Sequence, residues 1–174
     1  MKTLKTLNVI KYGLVGLMLM FSHQAWSNDF FDDSFGNFQE ELELARDDKK
    51  LGVFIFFEMD DCPFCHRMKE TILKEPDVID YFHQFFKVYR FDIEGASPVT
   101  DFDGTDYNTG KEMAERKYRV RATPVMMMFD LDGQPMARYT GPTHTKEEFL
   151  LFGRYVVEGH YQTMPFNRFK RTQD

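Results

Sequence analysis

The stretch LGVFIFFEMDDCPFCHRM, residues 51–68, contains both cysteines of the chain and predicts the fold around them. Its first part, Leu51 to Met59, is almost entirely apolar and rich in aromatic and β-branched residues, as is typical of a strand covered on both faces. Pro63 suits the first position of a helix, where its missing N–H is not needed. The cysteines are therefore expected on a strand-to-helix turn, with Cys62 at the start of the helix.

The cysteine motif has two chemical interpretations. Cys62 and Cys65 have the spacing of a redox dithiol, and with His66 they have the spacing of a c-type haem attachment site. A thiolate at a helix N-terminus is nucleophilic because the helix lowers its pKa, and a thiol one turn later can resolve a mixed disulfide. The apolar strand before the motif favours the dithiol. The alternative is a non-catalytic haem-binding or metal-binding protein that uses Cys62, Cys65 and His66.

The beginning of the chain predicts export. Three lysines precede an apolar run at residues 14–21, and small residues stand at positions 25 and 27, which is the pattern of a signal peptide over residues 1–27. Cleavage near Ser27-Asn28 would place the mature protein in the periplasm or outside the cell. These lysines are the only charged residues before Asn28, so cleavage changes the net charge from −6 to −9. An acidic chain without a basic cluster argues against nucleic acid as a partner.

Residues 37–160 predict one α/β domain in the order helix, strand, helix, strand, helix, strand, strand, helix, with the first two strands parallel. Capping boxes at Asn37 and Thr145 mark the starts of the first and last helices. Residues 28–36 are predicted to be a flexible N-terminal segment and residues 161–174 a C-terminal tail, of which residues 167–174 are predicted to be disordered. Residues 94–109 are polar and form a predicted insertion loop.

Two other groups of residues contain side chains that can bind metal ions. The spacing of neither group predicts a metal site. Asp101, Asp103 and Asp106 suit a hard cation, but they lack the spacing of an EF-hand, and a solvated acidic loop is the preferred interpretation. The methionines at positions 126–128 cannot converge on one ion, because successive strand residues point to opposite faces. No metal site is predicted.

The chain resembles the thioredoxin superfamily over residues 38–159. Three features carry the match: the apolar strand that enters CPFC, the run KYRVRATPVMMMFDLDGQ at residues 117–134, and Gly141. The signal peptide, the Pro-aromatic dipeptide between the cysteines and the long insertion are similar to exported proteins of the SoxW type. The resemblance implies a thioredoxin fold, with a central mixed β-sheet flanked by helices and an insertion before the cis-proline strand.

The resemblance also implies roles for individual residues. Cys62 would attack and Cys65 would be the buried resolving thiol, while Thr123 and the cis-proline Pro124 would hold an incoming substrate strand. Pro63 and Phe64 would contact the substrate from the cysteine side. Family members often bury an Asp where this chain has Phe56. Candidate residues that would tune the dithiol are Glu58, Asp60, Asp61, His66 and Arg90, with a solvated position at the sheet edge preferred for Glu58.

The expected function is that of an exported thiol–disulfide oxidoreductase that reduces protein disulfides. Asp60 and Asp61 favour this direction, because negative charge beside Cys62 disfavours its thiolate. A thiol oxidase or disulfide isomerase is the alternative on the same fold. The expected partners are exported proteins with disulfides or thiols and a membrane electron donor of the Dsb type. The protein is expected to be a monomer without a cofactor beyond the Cys62–Cys65 disulfide.

Overall fold

The computed structural model describes residues 29–173, so the predicted signal peptide lies outside the described residues. Within that range, no helix combines the length and the apolar character needed to cross a bilayer. The elements in chain order are α1 Phe38–Asp47, β1 Gly52–Glu58, α2 Pro63–Thr71, α3 Pro76–Phe85, β2 Phe86–Asp92, β3 Val99–Thr100, β4 Asp106–Tyr107, α4 Gly110–Arg116, β5 Val125–Asp130, β6 Pro135–Thr140, α5 Lys146–Val157 and α6 Phe166–Lys170.

The main sheet is mixed and has the strand order β2-β1-β5-β6. Strand β1 pairs parallel with β2 and antiparallel with β5, and β5 continues antiparallel into β6. The parallel pair needs a crossover, which α2 and α3 supply. The predicted α/β class and the central mixed sheet flanked by helices are confirmed.

Side chains of β1 alternate between two apolar clusters, one on each face of the sheet. Phe54 and Phe56 pack with both cysteines and with helices α2, α3, α5 and α6, and we call this side the disulfide face. Val53, Ile55 and Phe57 pack with α1, α4 and the insertion, and we call this side the insertion face. Every side chain of β1 is buried, as its continuous apolar run predicts.

The N-terminal segment differs from the flexible entry predicted for residues 28–36. Phe30 is buried on the disulfide face, with its ring centroid 5.5 Å from that of Phe82 and 5.9 Å from that of Phe54. Asp32 donates its backbone N–H to the carbonyl oxygen of Val88 at 2.7 Å, and its carboxylate accepts from the Val88 N–H at 2.9 Å. Burial of one aromatic ring and two hydrogen bonds therefore fix this segment against β2.

The C-terminal tail also differs from the prediction of disorder. Phe166 and Phe169 on α6 are buried against the disulfide face. The Tyr155 hydroxyl donates to the Met164 carbonyl oxygen at 2.6 Å, and Lys170 forms an ion pair with Glu148 at 2.5 Å. Two aromatic rings spaced three residues apart give this short helix one apolar side, which is enough to dock it.

The insertion at residues 94–109 contains the small β3–β4 hairpin and one buried carboxylate. Asp101 is buried, accepts a hydrogen bond from the Tyr118 hydroxyl, and lies 3.3 Å from Lys117 Nζ. The prediction of a solvated acidic loop is therefore wrong for Asp101, while Asp103 and Asp106 are exposed. Among residues 29–173, no group of His, Cys, Asp or Glu side chains is arranged to hold a metal ion.

Candidate active site

Cys62 and Cys65 form a disulfide at the N-terminus of α2. Cys62 is the N-cap residue, and its Sγ accepts a hydrogen bond from the Cys65 backbone N–H at 3.1 Å. Pro63 occupies the first helical position, as predicted. Both cysteines are at most 2 % exposed. When the disulfide is reduced, the same N–H and the helix dipole stabilise a Cys62 thiolate, because both favour negative charge at this end of the helix.

The strand register brings the proline segment to the same end of the sheet as the cysteines. Phe57, next to last in β1, pairs with Val125, the first residue of β5. Pro124 therefore lies at the end of β1 that leads into Cys62. The Thr123–Pro124 peptide bond is cis, and the Pro124 carbonyl oxygen accepts from the Gly141 N–H at 2.9 Å. The resemblance implied this cis-proline, and the structure has it.

One buried polar atom in this segment has no hydrogen-bond partner in the described part of the chain. The Thr123 Oγ1 is buried but forms no hydrogen bond with any group among residues 29–173. Buried hydroxyl groups are normally hydrogen-bonded, so an unpaired one at a candidate site requires an explanation. Its neighbour Pro124 has no N–H to donate, and the Pro124 carbonyl oxygen is already paired with the Gly141 N–H.

The exposed rim of the site comes from the first turn of α2. Phe64 is 55 % exposed, and the guanidinium carbon of Arg67 lies 5.9 Å from the centre of its ring. Arg67 also donates to the Thr143 carbonyl oxygen at 3.2 Å, which ties α2 to the segment after β6. A half-exposed aromatic ring beside a buried disulfide offers apolar surface to a partner.

Four of the five residues predicted to tune the dithiol are exposed, and the fifth, Glu58, is buried. His66 is exposed, and its Nε2 lies 3.0 Å from the Asp60 carbonyl oxygen. Asp60 and Asp61 are also exposed and stand directly before Cys62. Arg90 is exposed on β2, where the register places it beside Phe56. Their positions near the motif are those expected, and their roles stay predictions.

Glu58 differs from the solvated position at the sheet edge that was preferred for it. Strand β1 lies inside the sheet, between β2 and β5, and Glu58 is only 8 % exposed. Its carboxylate forms an ion pair with Lys69 Nζ at 2.5 Å. Phe56, which takes the position of the acidic residue found in many family members, is fully buried and apolar. The buried carboxylate on this strand is therefore two residues closer to the cysteines, with a lysine from α2 as its partner.

Sequence analysis missed Lys69 and a group of arginines next to the proline segment. Lys69 lies one turn and a half after the cysteines on a polar stretch of α2, where nothing in the pattern distinguishes it from other lysines. Arg116, Arg119 and Arg121 line one open cavity, although no basic cluster was predicted. The alternation of arginines in YRVRATP was the available signal, since it places two of them within five residues of Pro124.

Comparisons with known proteins agree with this geometry. The model of the family described as a thioredoxin-like domain matches residues 38–156. A thioredoxin-fold protein from Helicobacter pylori is 19 % identical with a TM-score of 0.57, covering 72 % of this chain and 88 % of that one. A thioredoxin from Thermus thermophilus is 26 % identical with a TM-score of 0.54, covering 68 % and 82 %.

A further similar structure is a protein from Bacteroides thetaiotaomicron that is proposed to be a disulphide-isomerase. It is 25 % identical with a TM-score of 0.58, and the match covers 74 % of this chain and 93 % of that one. No curated protein sequence matches the chain. The family match spans more than half of the chain and includes both cysteines and the cis-proline. The protein therefore belongs to the thioredoxin-like domain family.

Proposed function

We propose that the protein is an exported thiol–disulfide oxidoreductase that reduces disulfides in other exported proteins. The observation that carries the proposal is the Cys62–Cys65 disulfide at the N-terminus of α2, with Cys62 Sγ accepting from the Cys65 N–H. A structural role is a weak explanation for this disulfide, because a loop of so few residues constrains the unfolded chain little. The pair is therefore assigned to chemistry.

The reaction begins with the reduced protein. The Cys62 thiolate attacks one sulfur of the substrate disulfide, a Cys62–substrate bond forms, and the other substrate sulfur leaves as a thiolate that takes up a proton. Cys65 then loses its proton and attacks Cys62 Sγ, which releases the second substrate thiol. Two electrons and two protons pass to the substrate, and the protein is left with the Cys62–Cys65 disulfide. No cofactor beyond this dithiol is needed.

Docking of the substrate involves both sides of the site. An extended chain would lie beside Pro124 and bind the backbone of Thr123. Pro63 and the half-exposed ring of Phe64 would contact it from the α2 side. This arrangement recognises backbone and apolar surface, which suits a monomer that acts on several flexible partners.

Continued reduction in an oxidising compartment requires a source of electrons. A membrane electron donor of the Dsb type would supply two electrons per cycle to the Cys62–Cys65 disulfide. Asp60 and Asp61 support the reductive direction, because negative charge next to Cys62 disfavours the thiolate that a strong oxidant stabilises. Assignment to the SoxW type is part of the same proposal and rests on the predicted signal peptide, the CPFC motif and the insertion.

Reduction of insulin in the presence of dithiothreitol tests the proposal. The mature protein is expected to accelerate the reaction, Cys62→Ser to abolish the acceleration, and Cys65→Ser to accumulate a mixed disulfide with insulin. A Cys62→Ser variant as active as the parent would disprove the assignment of the nucleophile. Equilibration with glutathione tests the direction, since a potential near about −120 mV, typical of strong oxidants, would make the protein an oxidase instead.

A further inference from the structure

Three arginines line an open cavity next to the cis-proline segment, and we call them the arginine patch: Arg116, Arg119 and Arg121. The cavity has a volume of about 630 Å³, and Glu115 completes its lining. Arg116 forms an ion pair with Glu112 at 2.6 Å. Arg119 and Arg121 are exposed, and neither forms an ion pair within residues 29–173. Two guanidinium groups are therefore available to an external anion.

The backbone at Arg119 has a conformation that is unusual for an arginine. Its φ is +52°, in the left-handed region that glycine adopts without steric cost and other residues rarely adopt. Arg138 holds this conformation by donating to the Tyr118 carbonyl oxygen at 2.6 Å and to the Arg119 carbonyl oxygen at 3.5 Å. Glycine adopts this backbone without steric cost, so Arg119→Gly would remove the guanidinium group without straining the turn.

Arg119 and Arg121 of the arginine patch directly precede the cis-proline segment in the chain. Arg121 stands three residues before Pro124, and the strand register places Pro124 at the end of β1 that leads into Cys62. A protein segment that docks along Thr123 and Pro124 would continue past Arg121 and Arg119. The guanidinium groups would then contact residues of the substrate that flank its disulfide.

The net charge of the whole chain makes a local positive site more effective in choosing a binding partner. The full chain carries a net charge of −6. An acidic protein repels acidic partners over most of its surface, so a local positive site determines where and in which orientation such a partner docks. Arginine is also suited to carboxylates, because its planar guanidinium can bind them with two parallel hydrogen bonds.

We propose that Arg119 and Arg121 bind an acidic segment flanking the disulfide of a protein substrate, and thereby select substrates by charge. This inference rests on the proposed function, because the selected segment belongs to the molecule that Cys62 attacks. The patch acts on encounter and binding and takes no part in the exchange of electrons. The electron and proton balance is that of the proposed reduction.

Two peptides with the same intramolecular disulfide provide the first test. One carries Asp and Glu on both sides of the disulfide, and the other carries Asn and Gln at those positions. The reduced mature protein is expected to reduce the acidic peptide about 10-fold faster at low salt, and the two rates should converge near 1 M salt, where the Debye length is about 3 Å. Equal rates at low salt would overturn the inference.

Arg119→Gly provides the second test, with Lys49→Gly as the matched control. Lys49 also has a positive φ, of 56°, and is exposed, but it follows α1 at the opposite end of β1 from Cys62. Both variants lose one positive charge and replace a left-handed residue with glycine. Arg119→Gly is expected to lower the ratio of acidic to neutral rates about 5-fold without lowering the unfolding midpoint, whereas Lys49→Gly should leave the ratio unchanged. Equal effects of the two variants would overturn the inference.

A binding measurement separates this inference from the proposed function. The acidic peptide with both cysteines replaced by serine is titrated into the oxidised protein at low salt. One outcome is that the peptide binds, that Arg119→Gly weakens this binding, and that neither disulfide peptide is reduced. This outcome would support the arginine site and disprove the reductase. Reduction of both peptides without charge preference or charge-dependent binding would retain the reductase and disprove the arginine site.

Discussion

The buried carboxylates of the disulfide face differ from Glu41 on helix α1, whereas Asp101 in the insertion resembles them because it lies 3.3 Å from Lys117 Nζ. On the disulfide face, Glu58 is paired with Lys69 and Glu148 with Lys170. Burial raises the pKa of Glu148, but hydrogen bonds from the His144 N–H, Lys170 and Tyr139 outweigh it and lower the pKa. Each of these two carboxylates therefore has a lysine as its partner, and the lowered pKa of Glu148 favours its ionised form.

On the side of α1, by contrast, Glu41 accepts a hydrogen bond from the Ser34 hydroxyl and has no ion-pair partner in the described part of the chain. Burial, with Asp32 and Glu40 nearby, raises the pKa of Glu41 to about 8 although the Ser34 hydrogen bond lowers it. The comparison teaches that the two sites respond to pH in opposite directions: the raised pKa of Glu41 lowers stability as pH rises, and the lowered pKa of Glu148 lowers stability as pH falls through the acidic range.

The largest expected effect tests whether the disulfide face depends on the start of the described chain. Phe30→Ala should lower the free energy of unfolding by about 3–5 kcal/mol, because it empties a site packed by Phe54, Phe82 and Phe149. Phe35→Ala, in the same segment but 94 % exposed, should change it by less than about 0.5 kcal/mol. Urea unfolding of both variants measures the difference. Similar values for the two would contradict the docked position of Phe30.

The next effect is the pH dependence of the unfolding free energy that Glu41 causes. In the unfolded chain Glu41 ionises near its ordinary pKa of 4.5, whereas the folded protein retains the proton up to about pH 8. The unfolded state therefore binds fewer protons between these values, and stability falls as pH rises, by about 2–3 kcal/mol between pH 5 and pH 7. Glu41→Gln should remove most of this decrease.

Glu43→Gln, on the same helix but exposed, is the control for that experiment. It should leave the pH dependence of unfolding as in the parent protein. Unfolding free energies measured at several pH values between 5 and 8 provide the check. A parent protein whose stability is constant over this range would contradict the neutral state of the Glu41 carboxyl group.

A smaller effect concerns the ion pair of the disulfide face. Lys69→Met should lower the free energy of unfolding by about 1–3 kcal/mol, because it leaves the buried Glu58 carboxylate without its cation. Lys74→Met removes the exposed Lys74–Glu70 pair from the same region and should cost less than about 0.5 kcal/mol. Chemical denaturation at pH 7 compares them. Equal losses would mean that burial of Glu58 does not strengthen its pairing.

The smallest expected effect should be the same on both faces. Thr109 caps α4 on the insertion face, and Thr145 caps α5 on the disulfide face, each accepting a hydrogen bond from the backbone N–H three residues later. Replacement of either by Ala should cost about 1 kcal/mol, since capping is a local interaction. Thermal unfolding of the two variants measures this. A loss several-fold larger for one of them would show that its cap also supports the packing of that face.

Local patterns explain most of what the sequence predicted correctly. Asn37 and Thr145 cap helices, Pro63 begins one, and the apolar run before the cysteines forms β1, because each depends on residues close by in the chain. The positions of Cys62 and the cis-proline were available from the resemblance, and the β1–β5 register places the two segments at one end of the sheet.

What the sequence could not predict depends on residues that are distant in the chain. Phe30 and Phe169 stand in polar segments, and only the surface that they meet makes them part of the core. Glu58 and Asp101 have the residue type of solvated carboxylates, but a lysine from α2 and a tyrosine after α4 cover them. The left-handed backbone of Arg119 likewise follows from its contact with Arg138 on β6.

The contact between Asp32 and Val88 also covers part of a sheet edge. Strand β2 is at the edge of the sheet, and an edge strand offers unpaired N–H and C=O groups to any other chain. Asp32 uses its own N–H and carboxylate to occupy both groups of Val88, and the opposite edge begins with Pro135, which has no N–H to offer. Loss of residues 29–32 would uncover the Val88 N–H and C=O groups, so we expect a protein without this segment to pair more readily with another chain along β2.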